Sequence, residues 1–373
     1  MKQYNIKSIV KNIIPDIIIK NIYSKPIQLL HLLKNYKKYC IHESYFPNKK
    51  QKPLYRIFYD QILQTLKYGY PNEFYFPYGF DVKNSREIKQ YLHYAPFMYK
   101  RDYRNLKLHS GTAVLRNKVL FGFFTNSLGI NSGRNLGIVC GQEVFDLERK
   151  TNISLDMFLK TLQGYYIFKP IEGECGNGIF ILNINENKFY IKHKEIELQQ
   201  LYTYIGHVRY LIQGLVKQHP LMASLHPQSL NTLRFVTIKD IISNKIVPFP
   251  SILRIGTGDS FVDNTSQGGL AVAVDLQTGK LGEYGFYKPA FGTKVIKHPD
   301  TMIKFSEFTI PYFEEAKKQA LKLHSMLPNI HSIGWDIAIG EKGPVFIEGN
   351  DNWEINGPQI CNGPLKNLFY QLS

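Results

Sequence analysis

Apolar residues recur along this chain in two different rhythms, and the change falls near residue 110. Before it, Ile27, Leu30, Leu33 and Tyr36 follow the helical repeat and predict a helix with one apolar face. Asn84 or Ser85 is suited to open a later helix, because a short polar side chain can accept from the unsatisfied amides of a first turn. After it, short β-type runs alternate with glycine turns: Tyr165 to Phe168, Ile179 to Ile184, Leu233 to Ile238, Leu270 to Val274, Ile333 to Ile339 and Val345 to Ile347. Helical stretches are expected between them, near Ser154 to Leu162 and Tyr312 to Ser325. The mixture predicts an α+β fold with antiparallel sheets rather than regular βαβ units. No internal repeat or low-complexity segment interrupts it.

With 44% hydrophobic and 14% aromatic residues in 373, the chain can bury more than one core, which excludes a largely disordered polymer and predicts two or three domains. Its 46 basic and 30 acidic residues leave a formal charge of +16, a field that favours anionic partners without choosing among nucleotides, acidic sugars, nucleic acid and lipid headgroups. The Lys- and Tyr-rich stretch 1–110 carries no chemical motif. A solvated helical surface with aromatic packing is the preferred reading there; the rival is a docking face for an anionic polysaccharide or a membrane surface. Cys40, Cys140, Cys175 and Cys361 form no CxxC pair, so neither a disulfide framework nor a zinc site is indicated, and a reducing cytoplasm fits. The apolar run Ile13 to Ile19 is broken by Pro15 and Asp16 and is too short to span a bilayer, so no signal peptide or transmembrane helix is expected. The expected location is cytoplasmic, with the inner membrane face as a peripheral docking place.

Two segments carry chemistry. In Tyr166-Ile-Phe-Lys-Pro-Ile-Glu-Gly-Glu-Cys-Gly-Asn-Gly-Ile-Phe-Ile, a strand ends in Lys169, a loop holds Gly173, Gly176, Asn177 and Gly178, and a second strand follows. Glycines let backbone amides close over phosphate oxygens, and an ammonium at the strand end neutralises them. No GK[ST] precedes a helix, so this is a strand-loop-strand clamp and not a Walker loop; alone it is equally an ordinary glycine hairpin. Gly334-Trp-Asp-Ile-Ala-Ile-Gly, a turn, and Pro344-Val-Phe-Ile-Glu-Gly-Asn form the second. A hairpin there brings Asp336, Glu348 and Asn350 together, with Glu348 and Asn350 on one strand face. Hard oxygen ligands of this kind suit magnesium. A plain strand-end polar cluster is the alternative, but Asp336 and Glu348 each interrupt an apolar run, which is costly without a partner.

In their order along the chain these motifs resemble the ATP-grasp superfamily, and closely its sugar-transfer-associated branch found in polysaccharide gene clusters, over roughly residues 111–365. The resemblance implies two α+β subdomains clasping ATP, preceded by a mainly helical N-terminal region: 1–110, then 111–215, then 216–373. It implies that Lys118, on a helix opened by Asn117, and Lys169 contact ATP, and that Gly173 to Gly178 form a mobile lid. Tyr210-Leu-Ile-Gln-Gly-Leu-Val-Lys-Gln-His-Pro is similar to the segment that holds adenine through backbone groups, which places Gln213 and Leu215 at the nucleotide. Gln213 stands where many relatives have an acid, so the ribose contact is left open among Gln213, Gln218 and His219; His219 is equally a packed histidine before Pro220.

Ser229-Leu-Asn-Thr-Leu-Arg-Phe-Val-Thr resembles the strand that presents an asparagine and an arginine. Thr232 and Arg234 share a face there, so Asn231 reaches the same side only from the preceding turn. Arg234 is preferred, since a guanidinium fork matches phosphate and carboxylate geometry. Arg254, with Asp263-Asn264 and Gly268-Gly269 after it, resembles the element that holds an acyl phosphate, which makes Arg234, Arg254 and Asn264 the expected catalytic residues. The implied reaction uses ATP and Mg2+ to join a small-molecule or saccharide carboxylate to an amine, in capsule or surface polysaccharide biosynthesis. A phosphotransferase on the same fold and a non-catalytic polyanion-binding module are the rivals; clustered hard metal ligands weigh against the module, and nucleic acid is not an expected partner. Cys175 has no identifiable His partner and is read as incidental.

Overall fold

The computed structural model describes residues 16–106, 111–173 and 177–373. Cys175 and Gly176 lie outside the described residues, as does the start of the Ile13 to Ile19 run. Five helices recur below: α1 (Asp16–Lys34), α2 (Leu54–Tyr68), α3 (Tyr94–Leu106), α4 (Lys118–Ser127) and α5 (Phe313–Ser325).

The strands fall into two antiparallel sheets. β1 (Asn135–Cys140), β2 (Glu143–Asp146), β3 (Thr151–Ser154), β4 (Gly164–Pro170), β5 (Phe180–Asn185), β6 (Lys188–Ile191), β7 (Lys194–Ile196) and β8 (Tyr210–Gly214) make an eight-stranded sheet ordered β3-β2-β1-β8-β4-β5-β6-β7. β9 (Thr232–Lys239), β10 (Ile246–Ile255), β11 (Leu270–Val274), β12 (Leu281–Phe286), β13 (Lys294–Val295), β14 (Ser332–Gly340) and β15 (Gly343–Asn350) make a seven-stranded sheet ordered β13-β12-β11-β10-β9-β14-β15. All six runs expected to be strands are strands, and the glycine turns between them separate hairpin partners. Ser154 caps a short helix, Leu155–Leu159, by accepting from the Met157 amide. Asn84 is the residue that opens the helix Ser85–Ile88, in a reciprocal box with Glu87.

The seven-stranded sheet is buried on both faces. Along β9, Leu233 and Phe235 join one core with Trp335, Ile337 and Phe346, and with Phe313, Ala316 and Ala320 of α5. Val236 and Ile238, on the opposite face, pack with Phe249, Trp353, Phe369 and Phe97 of α3. Period-two alternation with both faces apolar explains why this sheet reads as nearly continuous hydrophobic runs. Leu115, Phe121 and Ile130, which precede β1, also belong to the first of these cores and not to that of the eight-stranded sheet.

The N-terminal region contains a genuine aromatic core, with Tyr39, Tyr45, Tyr75, Phe76, Tyr78 and Phe80 packed on Phe286 of β12. The Tyr45 hydroxyl bonds the carbonyls of Tyr287 and Gly292. Ile27, Leu30 and Leu33 are helical, as their spacing predicts, and Tyr36 opens the next short helix. All four side chains face outward, while Leu32 of α1 is fully buried.

Candidate functional site

The densest group of buried charges lies in one cross-strand row of the seven-stranded sheet. Register sets Arg234 of β9 opposite Asp336 of β14, and Asp336 opposite Glu348 of β15. Arg254 of β10 pairs with Thr232, two residues before Arg234 and on its face. Neighbouring strands hold these Cα atoms about 5 Å apart, so the functional groups meet. Arg234 grips Asp336 with both arms of its fork, Nη2 to Oδ2 at 3.0 Å, and Arg254 Nη2 reaches the same oxygen at 3.0 Å. Asn350 Nδ2 donates to Glu348 Oε1 at 3.2 Å and lies 3.4 Å from Asp336 Oδ2. Close packing fixes the hairpin: a Cβ on Gly349, between Glu348 and Asn350, would lie 2.7 Å from Leu115 Cδ2 and 2.9 Å from Trp335 Cζ3.

The two carboxyls of this row are driven in opposite directions. Burial would raise that of Asp336, but Arg234 and Arg254 outweigh it and hold the group well below the usual carboxylate range. Burial and the neighbouring Asp336 charge push Glu348 up. No Lys or Arg among the described residues lies within 4.0 Å of the Glu348 carboxylate. Among the described residues no three His, Cys, Asp or Glu side chains form a metal-binding group, so a cation here would rest on two carboxylates and the Asn350 amide.

The eight-stranded sheet contributes Lys169, and α4 contributes Lys118. Lys169, at the end of β4, is 9% exposed. Burial pushes its ammonium down to about 8, with Glu348 opposing the fall and Lys118 adding to it. Lys169 therefore feels charges from outside its own sheet. Asn117 caps α4 by accepting from the amides of Val119 and Leu120, and this places Lys118 Nζ 3.0 Å from the Gly173 carbonyl oxygen. The Lys118 amide bonds Ile171 O at 3.1 Å, tying the helix start to the strand exit. Gly178 precedes β5 at φ +74, a conformation that favours glycine, with Pro170 Cγ 3.0 Å from where a Cβ would sit; Asn177 beside it is exposed.

A pH dependence follows from Lys169. A phosphate ligand prefers the protonated amine, so ATP affinity is expected to be flat below a pH of about 8 and to fall above it by up to about tenfold per unit. Lys169→Arg should remove that fall, because a guanidinium stays charged. Calorimetric titration near pH 7 and near pH 9 checks this, and a wild-type affinity equal at both would remove Lys169 from the nucleotide contacts.

The remaining expected residues are placed as follows. Gln213 is buried on β8, donating to Asn135 Oδ1 and, at 3.4 Å, to Ser132 O, while Leu215 just beyond is exposed. Gln218 is engaged inside its own half: Oε1 accepts from the Asn231 amide at 2.7 Å and Nε2 donates to Ser229 O at 3.1 Å. His219 caps the helix Pro220–Leu225, its Nδ1 accepting from the Leu221 amide at 3.1 Å. Asn231 does sit in the turn before β9, and its side chain is spent there on the carbonyls of Met222 and His226 and the amide of Gly256. Asn264 opens the 3-10 turn Thr265–Gln267 by accepting from the Ser266 amide.

Further residues hold this group from outside the row. Asp263 accepts from the Thr232 amide at 2.9 Å and from its hydroxyl, and lies 3.7 Å from Arg254 Nε, so it holds the second guanidinium from behind. Burial pushes its carboxyl up against the pull of Arg254. Asp351, next to Asn350, is gripped by Arg116 Nε at 3.0 Å and Nη2 at 2.7 Å. Asn105 of α3 donates to Asp351 O at 2.7 Å, and Arg101 bonds Trp353 O. Asp263 was legible as the neighbour of Asn264. Arg116 and Asn105 carry no local signal, since their partners lie more than two hundred residues away.

A family model described as sugar-transfer associated ATP-grasp matches residues 99–370. No curated protein matches the chain. Among solved structures, the chain is similar to the ATP-grasp ligase PsnB complexed with minimal precursor, at 14% identity and a TM-score of 0.37, over 70% of this chain and 62% of that one. It is similar to D-alanine-D-alanine ligase from Helicobacter pylori at 12% identity and a TM-score of 0.38, over 69% and 57% of the two chains. N5-carboxyaminoimidazole ribonucleotide synthetase from Thermotoga maritima stands at 13% identity and a TM-score of 0.35, over 69% and 44%. The chain thus spans less than two thirds of the length of each of these structures.

Proposed function

The chain belongs to the sugar-transfer associated ATP-grasp family, and from that premise we propose that it is an ATP-dependent carboxylate–amine ligase. The observation that carries this reading is the Arg234–Asp336–Glu348 row, with Arg254 of the next strand on the same Asp336 oxygen, and with Lys169 of the other sheet near enough for its ammonium and Glu348 to influence each other. Cations suited to phosphate thereby meet carboxylates suited to a divalent ion, with two guanidinium groups alongside.

In this reading Lys118 and Lys169 hold ATP phosphates under the segment Gly173 to Gly178. Backbone groups near Gln213 and Leu215 hold adenine, and the ribose falls to Gln213, Gln218 or His219. Asp336, Glu348 and Asn350 would hold magnesium, and the donor set fits: hard oxygens on two neighbouring strands, with a Glu348 carboxyl pushed up by burial and by Asp336. Bound there, the ion supplies charge neutralisation at the phosphate oxygens.

Arg234 and Arg254, with Asn264, orient a carboxylate substrate. One of its oxygens attacks the γ-phosphorus, the bond from that phosphorus to the β-bridging oxygen breaks, and ADP leaves. The nitrogen of an amine then attacks the acyl carbon, the carbon–oxygen bond to phosphate breaks, inorganic phosphate departs and the nitrogen releases its surplus proton. Closure of the lid keeps water from the acyl phosphate. A uronic acid with an amino acid amine, or an amino acid with an amino sugar, are the substrate pairs, in capsule or surface polysaccharide biosynthesis; the sugar association in the family's description supports that class.

The test is a screen of uronic acids and amino acids for ADP release, repeated with hydroxylamine in place of the amine. The acyl phosphate should be intercepted as a hydroxamate, and Arg254→Lys should cut its yield by roughly tenfold, because a point ammonium cannot reproduce a bidentate contact. A stable phosphoester with no hydroxamate would establish phosphotransfer in place of ligation. Absence of ATP binding would leave a polyanion-binding module.

A further inference from the structure

Helix α2 buries a largely polar face. Asp60, Gln61, Gln64 and Thr65 are buried beside Ile57, with Phe58 and Ile62 half-buried against the same core, while Tyr55, Tyr59, Leu63 and Leu66 face outward at 76%, 48%, 45% and 43% exposure. Specific bonds hold this orientation in place. Gln61 Nε2 donates to Tyr39 O at 2.9 Å and Asn72 O at 3.0 Å, Gln64 Oε1 accepts from Asn72 Nδ2 at 2.8 Å, and Asp60 Oδ2 accepts from Lys52 Nζ at 2.7 Å and the Tyr75 hydroxyl at 2.8 Å. The helix cannot roll its apolar stripe inward without stranding these groups. α1 adds Leu30 and Leu33 to the same surface, and the two helices meet in a shallow depression of about 340 Å³ lined by Leu33, Tyr36, Leu54, Tyr55 and Phe58.

Charge identifies what this surface meets. Residues 25–70 contain nine Lys or Arg and two Asp or Glu, a balance of +7, and one of the two acids, Asp60, is buried and already paired. Lys34, Lys37, Lys50, Arg56 and Lys67 are exposed on the same segments. An acidic polymer would be held by the cations alone and has no use for an apolar stripe. A second copy of the chain would set +7 against +7. A bilayer with anionic headgroups satisfies both features: leucines enter the acyl boundary, tyrosines sit at headgroup depth, and lysines meet lipid phosphates. Among the described residues no helix is long and apolar enough to cross a membrane, so contact would be in plane. We propose that the α1–α2 face is a peripheral docking surface for an anionic lipid bilayer. This stands apart from the ligase reading, because none of these residues belongs to the row around Asp336.

The test is flotation of the full chain with phosphatidylcholine vesicles and with vesicles that also contain phosphatidylglycerol. Binding to the anionic vesicles should be at least about tenfold tighter and should weaken with salt. Leu63→Glu with Leu66→Glu should cost at least about tenfold in vesicle affinity and leave calorimetric ATP binding unchanged, which shows the fold intact. A polarity-sensitive dye on Leu63→Cys should shift to the blue when vesicles are added. The proposal is overturned if neither vesicle binds, or if the glutamate variant binds as well as the wild type. It is equally overturned if the wild type dimerises and the variant does not, since a second copy then covers the face. A dye already shifted in the vesicle-free monomer would show that another part of the chain covers it, with the same consequence.

Discussion

Glu348→Gln is expected to lower ATP-dependent turnover by roughly a hundred- to a thousandfold while leaving the protein at least as stable as the wild type. The two halves of this expectation have one cause. Glu348 carries its charge in a buried site where burial and Asp336 both oppose ionisation. A bound cation would offset that cost, which is why the loss is expected in turnover and not in stability. The sign of its pH effect follows. Its folded value is raised above the ordinary 4.5, so the folded protein binds more protons than the unfolded chain in the interval between the two. Stability should fall as pH climbs through that interval, and Glu348→Gln should flatten the fall. Urea denaturation across the acid range, beside ADP release at neutral pH, reads both. A variant with near-normal magnesium-dependent turnover would take Glu348 out of the site.

Asp336→Asn is expected to act on the other side of the ledger, costing about 3–5 kcal/mol of stability in addition to turnover. Asp336 is the common acceptor of Arg234 and Arg254, and an amide offers those buried guanidiniums one oxygen and no charge. Its carboxyl is held well below the ordinary value of 3.8. The stability this gives is present above that value and is lost as pH falls through the folded one, so Asp336→Asn should lose most at neutral pH and least in acid. A urea midpoint equal to that of the wild type at neutral pH would mean that the arginines find other partners.

The contrast between these neighbours shows how far the sequence could be read. That Asp336, Glu348 and Asn350 share a hairpin, and that Arg234 shares a face with Thr232, followed from period two and a turn. That Asp336 is shared between two arginines did not, because it depends on the register of β9 with β10 and on the pairing of β9 with β14, whose residues lie about a hundred positions apart. The helical spacing of Ile27, Leu30 and Leu33 was visible, whereas its direction was not. Periodicity reports that an apolar face exists and not which way it turns. Gln218 and His219 illustrate a third limit, since a polar residue beside a nucleotide segment reads the same whether it caps a helix or holds a ribose.

The bonds from α3 to the segment after β15 bear on how this protein could have been assembled from parts. Arg101 and Asn105 hold the carbonyls of Trp353 and Asp351, and Phe97 packs on Trp353 and Phe369. A gene fusion that carried only the two sheets would arrive with Trp353, Phe369 and Val236 bare, and with Asp351 lacking its neighbour immediately beyond Asn350. A cut just behind α3 would therefore uncover one face of the seven-stranded sheet, so residues 94–106 belong structurally with that sheet and not with a detachable N-terminal module.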